Sequence, residues 1–198
     1  MQNPSIAKSY PMSASAYLKV DKATFFNFIE RQAEGRFEYE EGRIVQQMTG
    51  GTFAHMRIVQ RFASAFERAL DANAWVVTSQ GRGVETAKTV RYPDVVVEAI
   101  GAAGKALSTN KPVIIVEVLS ATTQELDLNT KPVEYMSLET LEAYIVASQD
   151  APQCWIWLRD GARRFAELPE ERSGSQAVLE VPAIGISISI AEIYRGIA

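Results

Sequence analysis

Residues 112–120 read PVIIVEVLS, an apolar run of strand length with a glutamate near its centre. A run this apolar is short enough to be a strand and apolar enough to be buried on both faces. Side chains alternate along a strand, so Glu117 shares a face with Ile115 and Leu119, while Val116 and Val118 share the other. Neither face is an obvious solvent face. A buried ionised carboxylate has to be paired, hydrogen-bonded or bound to a metal. Two readings stand at this point: a wet strand end or an arginine salt bridge on one hand, a cation site on the other.

A second carboxylate has the same setting. RYPDVVVEAI (91–100) puts Asp94 at the start of another apolar strand. Alone, it reads as a turn residue after proline. As a pair, and in a chain with one histidine and one cysteine, the two acids suit a hard cation. Mg²⁺ takes oxygen ligands and keeps several waters; Mn²⁺ is a further possibility. Such a site can hold a phosphate and generate an attacking hydroxide. Lys131 lies four residues after Asp127 and four before Tyr135, which puts the three on one helical face. It is either an ordinary exposed lysine or a charge that orients a water and steadies a phosphate.

The rest of the chain supplies a scaffold. The pattern predicts a helix over 21–33 capped by Asp21, with Phe25, Phe28 and Ile29 on one face. FEYEEGRIVQQM (37–48) predicts a hairpin turning at Glu41-Gly42. A longer helix is expected over 53–71, with Ile58, Phe62, Ala65, Phe66 and Ala69 on one face and Arg57, Arg61 and Arg68 on another. Strands are expected at 75–79, 83–87, 93–100, 113–120, 141–148 and 154–158. A helix is expected at 126–138, with Pro132 confined to its first turn, and a hairpin at Asp160-Gly161. The tail mixes a strand with a short helix. Residues 1–16 are expected as a flexible N-terminal arm and 17–198 as one domain, since no Pro/Gly/Ser linker divides the chain.

Composition removes several classes. No stretch approaches the roughly 18 apolar residues of a membrane helix, and the N-terminus has no apolar signal core, so the cytoplasm is the expected compartment. A lone Cys154 excludes a disulfide framework. The net charge of −4 argues against a nonspecific polyanion binder and leaves room for a small basic groove. Residues 101–105 are too short for a P-loop, and no G-x-S-x-G element is present.

Taken together, Pro93-Asp94, Glu117-Val118-Leu119-Ser120, Thr123, Asp127, Lys131 and Tyr135 resemble the Uma-type family of restriction-type endonucleases, within the PD-(D/E)XK nuclease superfamily. The likeness extends over the 37–48 segment, the His55 helix and the closing VPAIGISISIAEIYRGI. It implies an α/β fold of the restriction-endonuclease-like type, with a mixed, curved central sheet flanked by helices. It implies that Asp94 and Glu117 bind Mg²⁺ and that the chain hydrolyses phosphodiesters in DNA, with two subunits pairing to cut both strands. The superfamily's lysine two positions after the acid is absent; Leu119 stands there, and the resemblance makes Lys131 the catalytic substitute. Glu38, His55, Asp127 and Tyr135 become supporting residues of the site. His55 is otherwise read as a capping or core residue. The alternatives are a catalytically inactive nucleic-acid-binding module of this fold, a metal-dependent hydrolase of RNA or nucleotides, and an interaction protein whose acids are salt-bridged.

Overall fold

A computed structural model describes residues 19–32, 34–47, 51–120 and 123–197. The expected arm over 1–16 and Met48 of the expected hairpin lie outside them. Helix α1, Lys22–Ile29, starts where Asp21 accepts a hydrogen bond from the Thr24 amide at 2.8 Å. It ends at Ile29, where the apolar face ends and a polar run follows; Ala33 of the expected helix lies outside the described residues. Strands β1 (Arg36–Glu40) and β2 (Arg43–Gln47) form the expected hairpin. Its turn residues, Glu41 and Gly42, both have positive φ, 46° and 98°, as a two-residue turn matched to strand twist requires.

Helix α2, Phe53–Ala69, is capped by Thr52, whose hydroxyl accepts from the His55 amide at 3.1 Å. It buries Ile58, Val59, Phe62, Ala65 and Phe66. Ala69, expected on this face, is exposed because the helix ends there.

The central sheet takes β3 (Trp75–Ser79), β6 (Val95–Ala99), β8 (Pro112–Val118), β9 (Ala143–Ala147), β10 (Gln153–Leu158) and β11 (Glu170–Ser173), in the order β11-β10-β9-β8-β6-β3. Only β8 and β9 pair in parallel; the other neighbours are antiparallel. A second sheet, β2-β1-β5-β4-β7, adds β4 (Gly83–Glu85), β5 (Thr89–Arg91) and β7 (Ser108–Thr109). The sequence pattern did not separate β5 and β7, because strands of two or three residues carry no measurable alternation. The tail forms a hairpin, β12 (Val178–Val181) and β13 (Ile186–Ser189), and then α4 (Ile190–Tyr194).

Helix α2, helix α4 and the tail hairpin cover one face of the central sheet, where Ile58, Phe62 and Phe66 meet Val95, Val97, Ile114, Val116 and Val118. The other face carries Ile115, Leu119, Tyr135, Tyr144, Val146 and Trp157. Tyr144 stacks on Trp157 with ring centroids 5.4 Å apart, so the strand tryptophan serves the core.

The helix expected over 126–138 ends at Tyr135 and is built in two pieces. Leu126–Thr130 is a π-turn and Lys131–Tyr135 is α3. Pro132 has no N–H and cannot bond back to Leu128, and the Lys131 amide instead reaches five residues back to the Leu126 carbonyl. No helix among the described residues is long and apolar enough to cross a membrane.

The packing makes a direct prediction. Phe62, fully buried between α2 and the sheet, should cost about 3–5 kcal/mol when cut to alanine. Urea unfolding of Phe62→Ala measures it; a loss under about 1 kcal/mol would contradict this packing.

Candidate active site

The two acids meet through strand register. Strands β6 and β8 run antiparallel with Val95 opposite Val116. One residue back on β6 and one forward on β8 therefore bring Asp94 level with Glu117. All seven residues of β8 are buried, Glu117 included. The strand lies between β6 and β9, so the wet-edge reading of Glu117 is excluded.

Each carboxylate is held by one oxygen. Asp94 Oδ2 accepts from the Val118 amide at 2.8 Å and lies 3.2 Å from His55 Nε2. Glu117 Oε1 accepts from Lys131 Nζ at 2.8 Å and from the Tyr135 hydroxyl at 3.1 Å. Among the described residues, Asp94 Oδ1 and Glu117 Oε2 take no hydrogen bond. Lys131 Nζ is also 2.7 Å from Asp127 Oδ1. Asp127 is fixed in turn by its own backbone, whose carbonyl accepts from the Tyr144 hydroxyl at 2.8 Å.

The helix face expected for Asp127, Lys131 and Tyr135 is thus the face that meets Glu117. Lys131 is not the exposed lysine of the plainer reading: it is 5% exposed. His55 caps nothing with its ring and joins Asp94, while its Nδ1 is buried without a hydrogen-bond partner. Glu38 is buried nearby, and its Oε2 accepts from Arg91 Nη1 at 2.8 Å and from Gln47 Nε2 at 2.9 Å. Arg91, Glu134 and Tyr144 were not singled out in the sequence. Their only local signals were the spacing of Arg91 three before Asp94 and of Glu134 three after Lys131.

Burial dominates the electrostatics. It pushes the Glu117 carboxyl up to about 8, opposed by the Lys131 charge and reinforced by Asp127 and Asp94. Burial works against the Lys131 charge too, but Glu117 and Asp127 outweigh it and hold the amine above its ordinary value. Lys131 is therefore an ammonium, a donor and a positive charge rather than a base. The hydrogen bond to Asp94 raises His55 against its own burial.

The donor set suits a hard divalent cation. Asp94 and Glu117 sit level on neighbouring strands, each with one oxygen bonded and one without a hydrogen bond among the described residues, and Lys131 divides its charge between Glu117 and Asp127. No group of three or more His, Cys, Asp or Glu among the described residues is arranged to hold a metal. A cation here would complete its shell with water and substrate oxygens, as Mg²⁺ commonly does.

The chain resembles known proteins in sequence and in fold. A family model, Uma2, described as "Putative restriction endonuclease", matches residues 23–191. An uncharacterized protein of Synechocystis sp., slr1290, is 27% identical over 188 residues, covering 93% of this chain and 96% of that one. A crystal structure from Anabaena variabilis, titled "a putative nuclease belonging to DUF820", superposes with a TM-score of 0.69 at 16% identity, over 84% of this chain and 94% of that chain. The fold is the restriction-endonuclease-like type.

Stability should follow the Glu117 proton. Between the ordinary value of 4.5 and about 8 the folded chain keeps a proton that the unfolded chain has lost. This stabilisation is complete below 4.5 and is lost as pH rises through about 8. His55, raised from 6.5, acts in the same direction. In chelator, the melting temperature of the wild type should fall across this window, and Glu117→Gln should flatten the fall. Parallel profiles for the two proteins would refute the assignment. By the extent of the family match, the chain belongs to the Uma2 family.

Proposed function

We propose that the protein is a Mg²⁺-dependent endonuclease that hydrolyses phosphodiester bonds in DNA. The observation that carries this is the juxtaposition of Asp94 and Glu117 across β6 and β8, with the Lys131 ammonium on Glu117. Membership of a family described as "Putative restriction endonuclease" supports the same reading.

Asp94 and Glu117 would hold the cation with the oxygens that the protein leaves unbonded. Once bound there, the ion supplies positive charge that polarises a phosphoryl oxygen and makes water more acidic. The chain does the rest. The Val118 amide and His55 fix the rotation of Asp94. Tyr135 and Lys131 fix that of Glu117. The ammonium of Lys131 then faces the reacting phosphate as a fixed charge, needing no reorganisation as negative charge builds. Asp127 keeps that ammonium aimed and protonated. Two subunits would present two such sites to the two strands of a duplex.

The test is cleavage of supercoiled plasmid with Mg²⁺, with Mn²⁺ and with chelator. Cutting should need the metal and vanish in Asp94→Ala and Glu117→Ala, while Lys131→Ala should lose about 10²–10³-fold in rate. Direct conversion to linear plasmid supports paired sites; nicked circles support a single one. Wild-type rates in Glu117→Ala would sink the site. Faster turnover of RNA or nucleotides than of DNA would replace the substrate.

A further inference from the structure

Arg91 is the largest of the fully buried side chains, 2% exposed, and touches none of Asp94, Glu117 and Lys131 by hydrogen bond. It stands in β5 of the second sheet and gathers three carboxylates. Nη1 donates to Glu38 Oε2 at 2.8 Å and to Glu40 of β1. Nε and Nη2 form a fork on Glu134 of α3, at 2.9 and 2.8 Å. Thr89 adds a hydroxyl to the same Glu134 carboxylate at 3.2 Å.

Glu134 lies between the two α3 residues that hold Glu117, following Lys131 and directly preceding Tyr135. Helix α3 has five residues and is preceded by a π-turn. A helix this short has no rigidity of its own and takes its position from tertiary partners. Its outward residue Val133 is 75% exposed and anchors nothing. The guanidinium fork, planar and matched to a carboxylate, is the polar tie that fixes α3 against β1 and β5.

We infer that Arg91 is a positioning residue: through its fork on Glu134 it locks α3 to the second sheet and so sets Lys131 Nζ and Tyr135 Oη on Glu117. A lysine in its place keeps the charge but cannot make the fork. Glutamine at Glu134 keeps the shape and removes the charge that the fork grips.

Two readouts test this on the full chain. The first needs no activity: modification of Lys131 by an amine-reactive ester, without metal or DNA, mapped by mass spectrometry. Arg91→Lys and Glu134→Gln should expose Lys131 to modification at least about tenfold faster than wild type. Phe66→Leu, on the opposite face of the sheet, lowers stability without touching α3 and should leave Lys131 protected at temperatures below its melting point. The second readout rests on the nuclease reading. Both latch variants should lose about tenfold or more in kcat, with KM within about twofold. Lys131 modification in the latch variants that only matches Phe66→Leu would overturn the inference and leave Arg91 a general stability residue. If Arg91→Lys does not fold, Glu134→Gln decides by itself. A wild type that cuts no DNA defeats the nuclease reading, and the labelling result still decides the latch.

Discussion

The hydrogen bond from the Lys131 ammonium to Glu117 is the interaction around which the middle of the chain is arranged. Strand β8 is buried along its whole length, and the carboxylate in it is only 5% exposed. A helix must therefore bring donors to it. Lys131 and Tyr135 do so, and Asp127 holds the lysine from the other side. Removing Lys131 would leave Glu117 buried without its cation, at a cost of about 3–5 kcal/mol, while Lys131 without Glu117 would still face Asp127. Buried ion pairs in general add little over apolar side chains of the same volume. A buried polar cluster is thus weak evidence for stability, and its unbonded oxygens argue for chemistry.

The arrangement is also asymmetric in a useful way. Asp94 is held by a backbone amide and an imidazole, Glu117 by an ammonium and a phenol. One oxygen of each is committed to the protein. The rotamers of both acids are thereby set before any ligand arrives, so little ordering remains to oppose binding. The raised proton affinity of Glu117 reports the same incompleteness from the electrostatic side.

Much of this was legible in the sequence, and for local reasons. An apolar run with one acid in it marks a buried charge at once. The four-residue spacing of Asp127, Lys131 and Tyr135 marks a shared helical face, even across the π-turn that the pattern did not foretell. His55 and Asp94 were both named, but their contact joins a helix to a strand far along the chain. Arg91 and Glu134 were not legible. Their pairing depends on β5 lying beside β1 in a second sheet, and a three-residue strand shows no periodicity. Nor does a single arginine before a proline announce that it will be buried. Long-range pairing between short elements is what one sequence conceals.

The parallel pairing of β8 and β9 carries a consequence for where the amine is found. Two consecutive parallel neighbours in a sheet cannot be joined by a tight turn, so the chain between Val118 and Ala143 must travel back across the sheet. That return path is the segment of the π-turn and α3, and it passes over Glu117. Any inward side chain on it reaches the carboxylate without altering the strand. Lys131 on that return path brings to Glu117 an amine that no residue of β8 supplies. The address of the charge belongs to the wiring of the sheet rather than to the strand that holds the acid.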